Sequence, residues 1–296
     1  MTDLSPLGAP DRLELGEGIR WSDGRLVCVD ILTGRLLTPD GDATAPLRTL
    51  ARLDVPLGAV APVAGRAGTW IAAAGTGICL LTPGTAPEWL ADPEPAAPTG
   101  MRMNDGCADP HGRFWAGSMA YDGTPDAGSL YRTGPDGTVT RVLDGITVPN
   151  GPAFDRDGTT MYLADSARGL VRRYSVDPRD GALGVGEEFT RVTEGSPDGM
   201  TVDAEGALWT AVWGAGEVRR YLPDGTLATV LRLPVTQPAG VCLGGDDGRT
   251  LYVTTARVGL AAPGPLDGAV FRARVEVPGL RTAAYRSTAP HRSTAA

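Results

Sequence analysis

The stretch Gly206-Ala207-Leu208-Trp209 begins a strand directly after a glycine turn, and the chain uses the same arrangement six times. The other instances are Gly24-Arg25-Leu26-Val27, Gly68-Thr69-Trp70, Gly112-Arg113-Phe114-Trp115, residues 158–162 ending in Tyr162 and residues 248–252 ending in Tyr252. From Val27 through Trp70, Trp115, Tyr162, Trp209 and Tyr252 the spacing is 43, 45, 47, 47 and 43 residues. A period in that range carries one four-stranded propeller blade. The fifth unit shows the later strands as well: residues 208–212, then 217–222, the turn Pro223-Asp224-Gly225 and residues 229–233. The reading is an all-β, six-bladed β-propeller over residues 1–280, with residues 281–296, rich in Ala, Ser, Thr and Arg, as a disordered C-terminal tail. A two-domain division has no linker to support it.

Composition agrees. The 296 residues include 41 Gly and 25 Pro, and no stretch free of both exceeds ten residues, too short for a typical helix. Net charge is −8, every base is arginine and there is no lysine. Schiff-base chemistry, pyridoxal phosphate anchoring and a P-loop lysine are thereby excluded, and an acidic chain is a poor partner for nucleic acid. Cys28, Cys79, Cys107 and Cys242 are spaced without a CxxC pair and read as buried free thiols of a reducing compartment. Residues 1–10 lack a signal-peptide pattern and no apolar run reaches membrane-spanning length, so the chain reads as cytoplasmic and without a membrane partner. Its oligomeric state is not legible.

Residues at one phase of a propeller repeat converge on one mouth of the central channel. Ahead of each marker residue stands a dipeptide ending in glycine: Glu17-Gly18, Leu57-Gly58, Asp105-Gly106 preceded by Asn104, Asn150-Gly151, Asp198-Gly199 and Ala239-Gly240. Both asparagines of the chain, Asn104 and Asn150, fall in this ring. Each dipeptide also admits a plain turn reading, since Asn-Gly and Pro-Asp-Gly are turn formers. Pro197-Asp198-Gly199 differs from the hairpin turns at residues 39–41, 135–137 and 223–225 by preceding an inner strand, expected at residues 200–203.

Two carboxylates and an amide oxygen make a hard ligand set for a divalent cation, with Ca²⁺ favoured and Zn²⁺, Mn²⁺ or Mg²⁺ admissible. An imidazole-built zinc site is excluded by the two histidines, His111 in a turn and His291 in the tail. The same count argues against a Ser-His-Asp hydrolase, and Gly195-Ser196-Pro197-Asp198-Gly199 only superficially matches a nucleophile elbow. Paired carboxylates also leave glycosidase chemistry open.

Glu17-Gly18-Ile19-Arg20-Trp21, Arg102-Met103-Asn104-Asp105-Gly106 with Asp109-Pro110 onward to Met119, Pro149-Asn150-Gly151, residues 197–203 and residues 234–257 together resemble the SMP-30/gluconolactonase, or regucalcin-like, family of six-bladed calcium-dependent sugar lactonases. The resemblance covers residues 17 to about 257. It implies that Glu17, Asn150 and Asp198 ligate the metal, that Arg102 and Asn104 hold substrate oxygens, and that Asp122 stands where the family has a substrate-binding Glu. Asp122 is shorter than that Glu and also reads as a solvated loop residue, and Arg102 as a surface ion pair; Ile19 replaces a common Pro. The implied function is metal-dependent opening of a sugar lactone such as gluconolactone, the cation polarising the carbonyl and Asp198 activating water. The alternatives are a phosphotriesterase-like hydrolase and a non-catalytic propeller binding calcium or a sugar acid.

Overall fold

A computed structural model describes residues 4–7, 11–42, 45–94 and 100–288. Its regular structure is six antiparallel sheets of four strands and one 3₁₀ turn at Ser166–Arg168. Five sheets take their strands in chain order from inside to outside, the meander that short glycine turns allow. The innermost strands, which surround the axis, are Gly16–Ser22, Leu57–Pro62, Met101–Ala108, Pro149–Phe154, Ser196–Val202 and Pro238–Gly244. The expected six-bladed propeller is therefore the observed fold. No helix among the described residues is long and apolar enough to cross a membrane.

The sixth sheet is completed from the other end of the chain. Its first three strands are Pro238–Gly244, Thr250–Thr255 and Val270–Arg274, and the fourth is Ser5–Pro6, with Ser5 opposite Arg272 and Pro6 opposite Phe271. This closes the ring and covers the outer edge of Val270–Arg274.

The core is divided into six slabs, one between each pair of adjacent blades. Val27 and Trp70 lie between blades one and two, Trp115 between three and four, Tyr162 between four and five, Trp209 between five and six, and Tyr252 between six and one. The marker residues of the repeat are thus the large side chains that glue blade to blade. Trp115 and Trp209 bury their rings and still satisfy the indole N–H, which donates to Asp109 and Asp203 respectively at 2.9 Å. All four cysteines are free, and burial holds the Cys28, Cys79 and Cys107 thiols up at about 12, protonated and inert.

Two expectations are corrected. The inner strand of blade five begins at Ser196 and includes Asp198; the turn residues Pro197-Asp198-Gly199 are absorbed as an irregularity inside it. Of the segment 281–296 read as a disordered tail, residues 281–288 are ordered, and 289–296 lie outside the described residues. Tyr285 is 1 % exposed, its N–H donates to the Pro62 carbonyl and its hydroxyl to that of Gly134, both at 2.8 Å. One aromatic anchor inserted between blades two and three is enough to pin a segment of otherwise weak pattern.

Candidate metal centre and active site

In every blade the inner strand slips register against its neighbour, between Glu17 and Arg20, Leu57 and Ala59, Met103 and Gly106, Asn150 and Ala153, Pro197 and Met200, and Pro238 and Gly240. These β-bulges coincide with the six glycine dipeptides. A bulge re-aims one side chain out of the sheet's alternation, here toward the axis. Glycine follows because the strands crowd there: a Cβ on Gly58 would lie 2.2 Å from the Asn104 carbonyl oxygen. One on Gly199 would lie 2.8 Å from the Ala239 carbonyl oxygen.

The bulges bring Glu17 of blade one, Asp105 of blade three and Asp198 of blade five together at the axis, all buried. Burial raises the Glu17 pKa well above the usual carboxylate range, and the charges of Asp198 and Asp105 raise it further. Burial likewise raises Asp198, with Asp105 adding to the effect. Asp105 is raised by burial alone, and Arg20 opposes the shift. The three differ in their donors. Asp105 accepts the N–H groups of Gly106 at 2.8 Å and Gly151 at 3.0 Å, with Arg20 at 3.6 Å. Asp198 accepts the Gly199 N–H at 3.0 Å on Oδ1, and its carboxyl group shares a hydrogen bond with that of Glu17. Glu17 Oε2 is buried with no hydrogen-bond partner.

Beside the acids runs an amide network. Arg102 Nη1 donates to Asn104 Oδ1 at 2.6 Å, and Asn104 Nδ2 donates to Asn150 Oδ1 at 3.0 Å and to the Pro149 carbonyl at 2.9 Å. Asn150 Nδ2 donates to Ser166 Oγ at 2.8 Å, whose hydroxyl donates to the Pro197 carbonyl next to Asp198. The network ties blades three, four and five together and fixes which way each amide points. Asn104 thereby orients both Arg102 and Asn150, leaving it one Oδ1 lone pair for anything else. Arg102 is a buried cation within electrostatic reach of Glu17, Asp198 and Tyr121; a surface ion pair is not its role.

Asp122 stands apart. It is exposed, and its Oδ1 accepts the Thr124 N–H at 2.9 Å and hydroxyl at 2.7 Å, closing a turn. Its neighbour Tyr121, 55 % exposed, is the residue beside Arg102 at this mouth. Tyr121, Ser166 and Arg20 were not singled out from sequence; only Arg20, inside the Glu17-to-Trp21 motif, had a signal that could have found it.

A carboxylate oxygen buried without a donor, facing a second acid, is costly unless a cation or a proton joins them. Gly199 and Gly240 leave open the space beside it, where a Cβ would come within 3.4 and 3.3 Å of Glu17 Oε2. Among the described residues no three His, Cys, Asp or Glu side chains form a metal-holding group. An ion here would have two carboxylates, amide oxygen and water, a set that fits a hard divalent cation.

The sequence matches the family described as SMP-30/Gluconolactonase/LRE-like region over residues 15–257. The chain belongs to that family. Within it, the chain is 36 % identical over 277 residues to 6-deoxy-6-sulfogluconolactonase of Pseudomonas putida, covering 90 % of this chain and 92 % of the relative. It is 39 % identical over 210 residues to L-arabinolactonase of Azospirillum brasilense, covering 67 % and 68 %. Among solved structures of this SMP-30/gluconolactonase fold, regucalcin from Agrobacterium tumefaciens, titled a calcium-binding protein, superposes with a TM-score of 0.88 at 30 % identity, covering 95 % of this chain and 97 % of that one.

Proposed function

We propose that this protein opens an aldonolactone, with gluconolactone as the type substrate, to the sugar acid, using a divalent cation held by Glu17, Asp198 and the Asn150 side-chain oxygen. As a member of a sugar lactonase family the chain is a lactone hydrolase; the cation, the roles of individual residues and the sugar are the proposal. The observation that carries it is Glu17 Oε2, buried without a donor in a carboxyl group that is charge-coupled to Asp198 at the axis. When bound, a divalent ion supplies a Lewis acid for the ester carbonyl.

The chain's own residues do the rest. Arg102, held by Asn104, presents a fixed guanidinium to ring hydroxyls; it stays charged, so it positions and does not exchange protons. Asp198 keeps Oδ1 on the Gly199 N–H, and its second oxygen takes the proton of the attacking water. The Asn104–Asn150–Ser166 network prevents the amides from turning their N–H groups toward the cation. Tyr121 offers an aromatic wall at the mouth, where a sugar ring would enter. Asp122 is not needed in this arrangement.

The test is pH-stat hydrolysis of a lactone panel by purified protein titrated with Ca²⁺, Mg²⁺, Mn²⁺ and Zn²⁺ before and after chelation, beside a phosphotriester. Lactone turnover that chelation removes and Asp198→Ala abolishes supports the reading. Absence of lactone turnover with every cation overturns it.

A further inference from the structure

The central channel has a second concavity at the end opposite the carboxylate ring. There the inner strands finish and residues 280–286 cross beneath them, bounding a cavity of about 480 Å³. That is the size of a small-molecule site, roughly 300–1,000 Å³. Four arginines line it, Arg20, Arg156, Arg281 and Arg286, against one carboxylate, Asp155. Asp155 is turned toward its own loop: Oδ1 accepts the N–H groups of Thr159 and Thr160 at 2.8 and 3.1 Å, and Oδ2 the Thr159 hydroxyl at 3.1 Å. Among the described residues no carboxylate pairs with Arg156, Arg281 or Arg286.

Arg20 forms the roof. It reaches across the channel from blade one, and Nη2 donates to the Gly106 carbonyl of blade three at 2.7 Å. Its Asp105 contact, at 3.6 Å, belongs to the ring above. The crossing segment is fixed by buried Tyr285 and by the Arg286 N–H, which donates to the Gly112 carbonyl at 2.9 Å. Arg281 and Arg286 are therefore held at the cavity rim by the backbone and not by salt bridges. In a chain of net charge −8 this is a local concentration of positive charge in which, among the described residues, Arg20 alone of the four arginines has a carboxylate partner. Guanidinium forks match the oxygens of carboxylates and phosphates in geometry as well as charge.

We infer that this cavity binds a compact polyanion, an organic phosphate or polycarboxylate, through Arg156, Arg281 and Arg286 with Arg20 behind them. The site is distinct from the lactone centre and does not depend on the lactonase reading. The experiment is calorimetric titration of the full chain with glycerol 3-phosphate and, separately, tricarballylate, for wild type and for Arg156→Ala/Arg281→Ala/Arg286→Ala. These side chains face solvent, so the variant is expected to fold, checked by its melting curve. At least one probe is expected to bind saturably with a dissociation constant near or below about 1 mM, and the triple variant to weaken it by about tenfold or more. The preferred probe distinguishes phosphate from carboxylate recognition. No saturation by either probe at several tens of millimolar, or equal affinity in the triple variant, overturns the inference.

Discussion

Asp198, near the start of one inner strand, and Asp203, just past its end, are both buried and live under opposite conditions. Asp203 accepts the N–H groups of Glu205 and Ala207 at 3.0 Å, the Trp209 indole at 2.9 Å and the Arg220 guanidinium at 2.8 Å. Asp198 accepts one backbone N–H and lies among Glu17, Asp105 and the more distant charge of Arg102. Blade three shows a weaker contrast: Asp109 holds His111, Arg113 and Trp115, and Asp105, in the ring, accepts two backbone N–H groups beside Arg20. One mouth of the channel is stitched by satisfied carboxylates, while at the other Asp105 is supplied with donors and Glu17 and Asp198 are short of them. Burial is common to both sets; the shortage of donors is what distinguishes Glu17 and Asp198.

The sharpest break of that contrast is Asp198→Asn. It is expected to reduce lactone turnover by about 10³-fold or more, as loss of a general base does, while the melting temperature of the ion-free protein holds or rises because one of two facing acids is gone. Turnover near wild type would place the base elsewhere. Asp203→Asn is the mirror experiment. It removes one of the two carboxylates paired with Arg220, Glu205 remaining, and weakens the acceptor of the buried Trp209 indole, and is expected to cost about 2 kcal/mol in urea unfolding, with turnover per folded molecule unchanged.

A third prediction separates the two mouths by pH. Folding raises the Glu17 and Asp198 pKa values, so their contribution to stability is full below the ordinary carboxylate range and is lost as pH rises through the raised values. Chelator-treated protein is therefore expected to melt higher at pH 5 than at pH 8, and added cation to reverse that order. Flat melting across this range would mean that the acids are not a charge-strained pair. The smallest effect belongs to the rim, where Arg274 hydrogen-bonds the exposed Asp247 and pulls its pKa down to about 2. A lowered pKa gives stability present above the unfolded value and lost as pH falls toward about 2. The pair is solvent-screened, so Asp247→Asn is expected to melt like wild type near neutrality.

How much of this was legible follows from where each signal resides. The bulges were written locally, since only glycine tolerates the crowding at Gly58 and Gly199, and the two asparagines beside such glycines could be seen without any contact map. The blade count was legible because the interblade slabs demand a large side chain at a fixed phase. The ordered run to residue 288 was not, because it depends on Tyr285 finding a gap between two distant blades. Asp122, which the family resemblance marked for substrate and which also read as a solvated loop residue, is exposed and closes a turn with Thr124. Arg20 resembled an ordinary strand residue until the ring closed and put Gly106 across from it.

The strand Ser5–Pro6 occupies the outermost place in its sheet, so the wheel has a single seam, fastened by hydrogen bonds at the perimeter and nowhere near the axle. A protein fused ahead of residue 5 would hang from the tread like a tag on a tyre, leaving both hub openings unobstructed. Trimming the chain past Pro6 would instead unfasten the seam and leave the outer edge of Val270–Arg274 bare, at the perimeter and away from the axial acids.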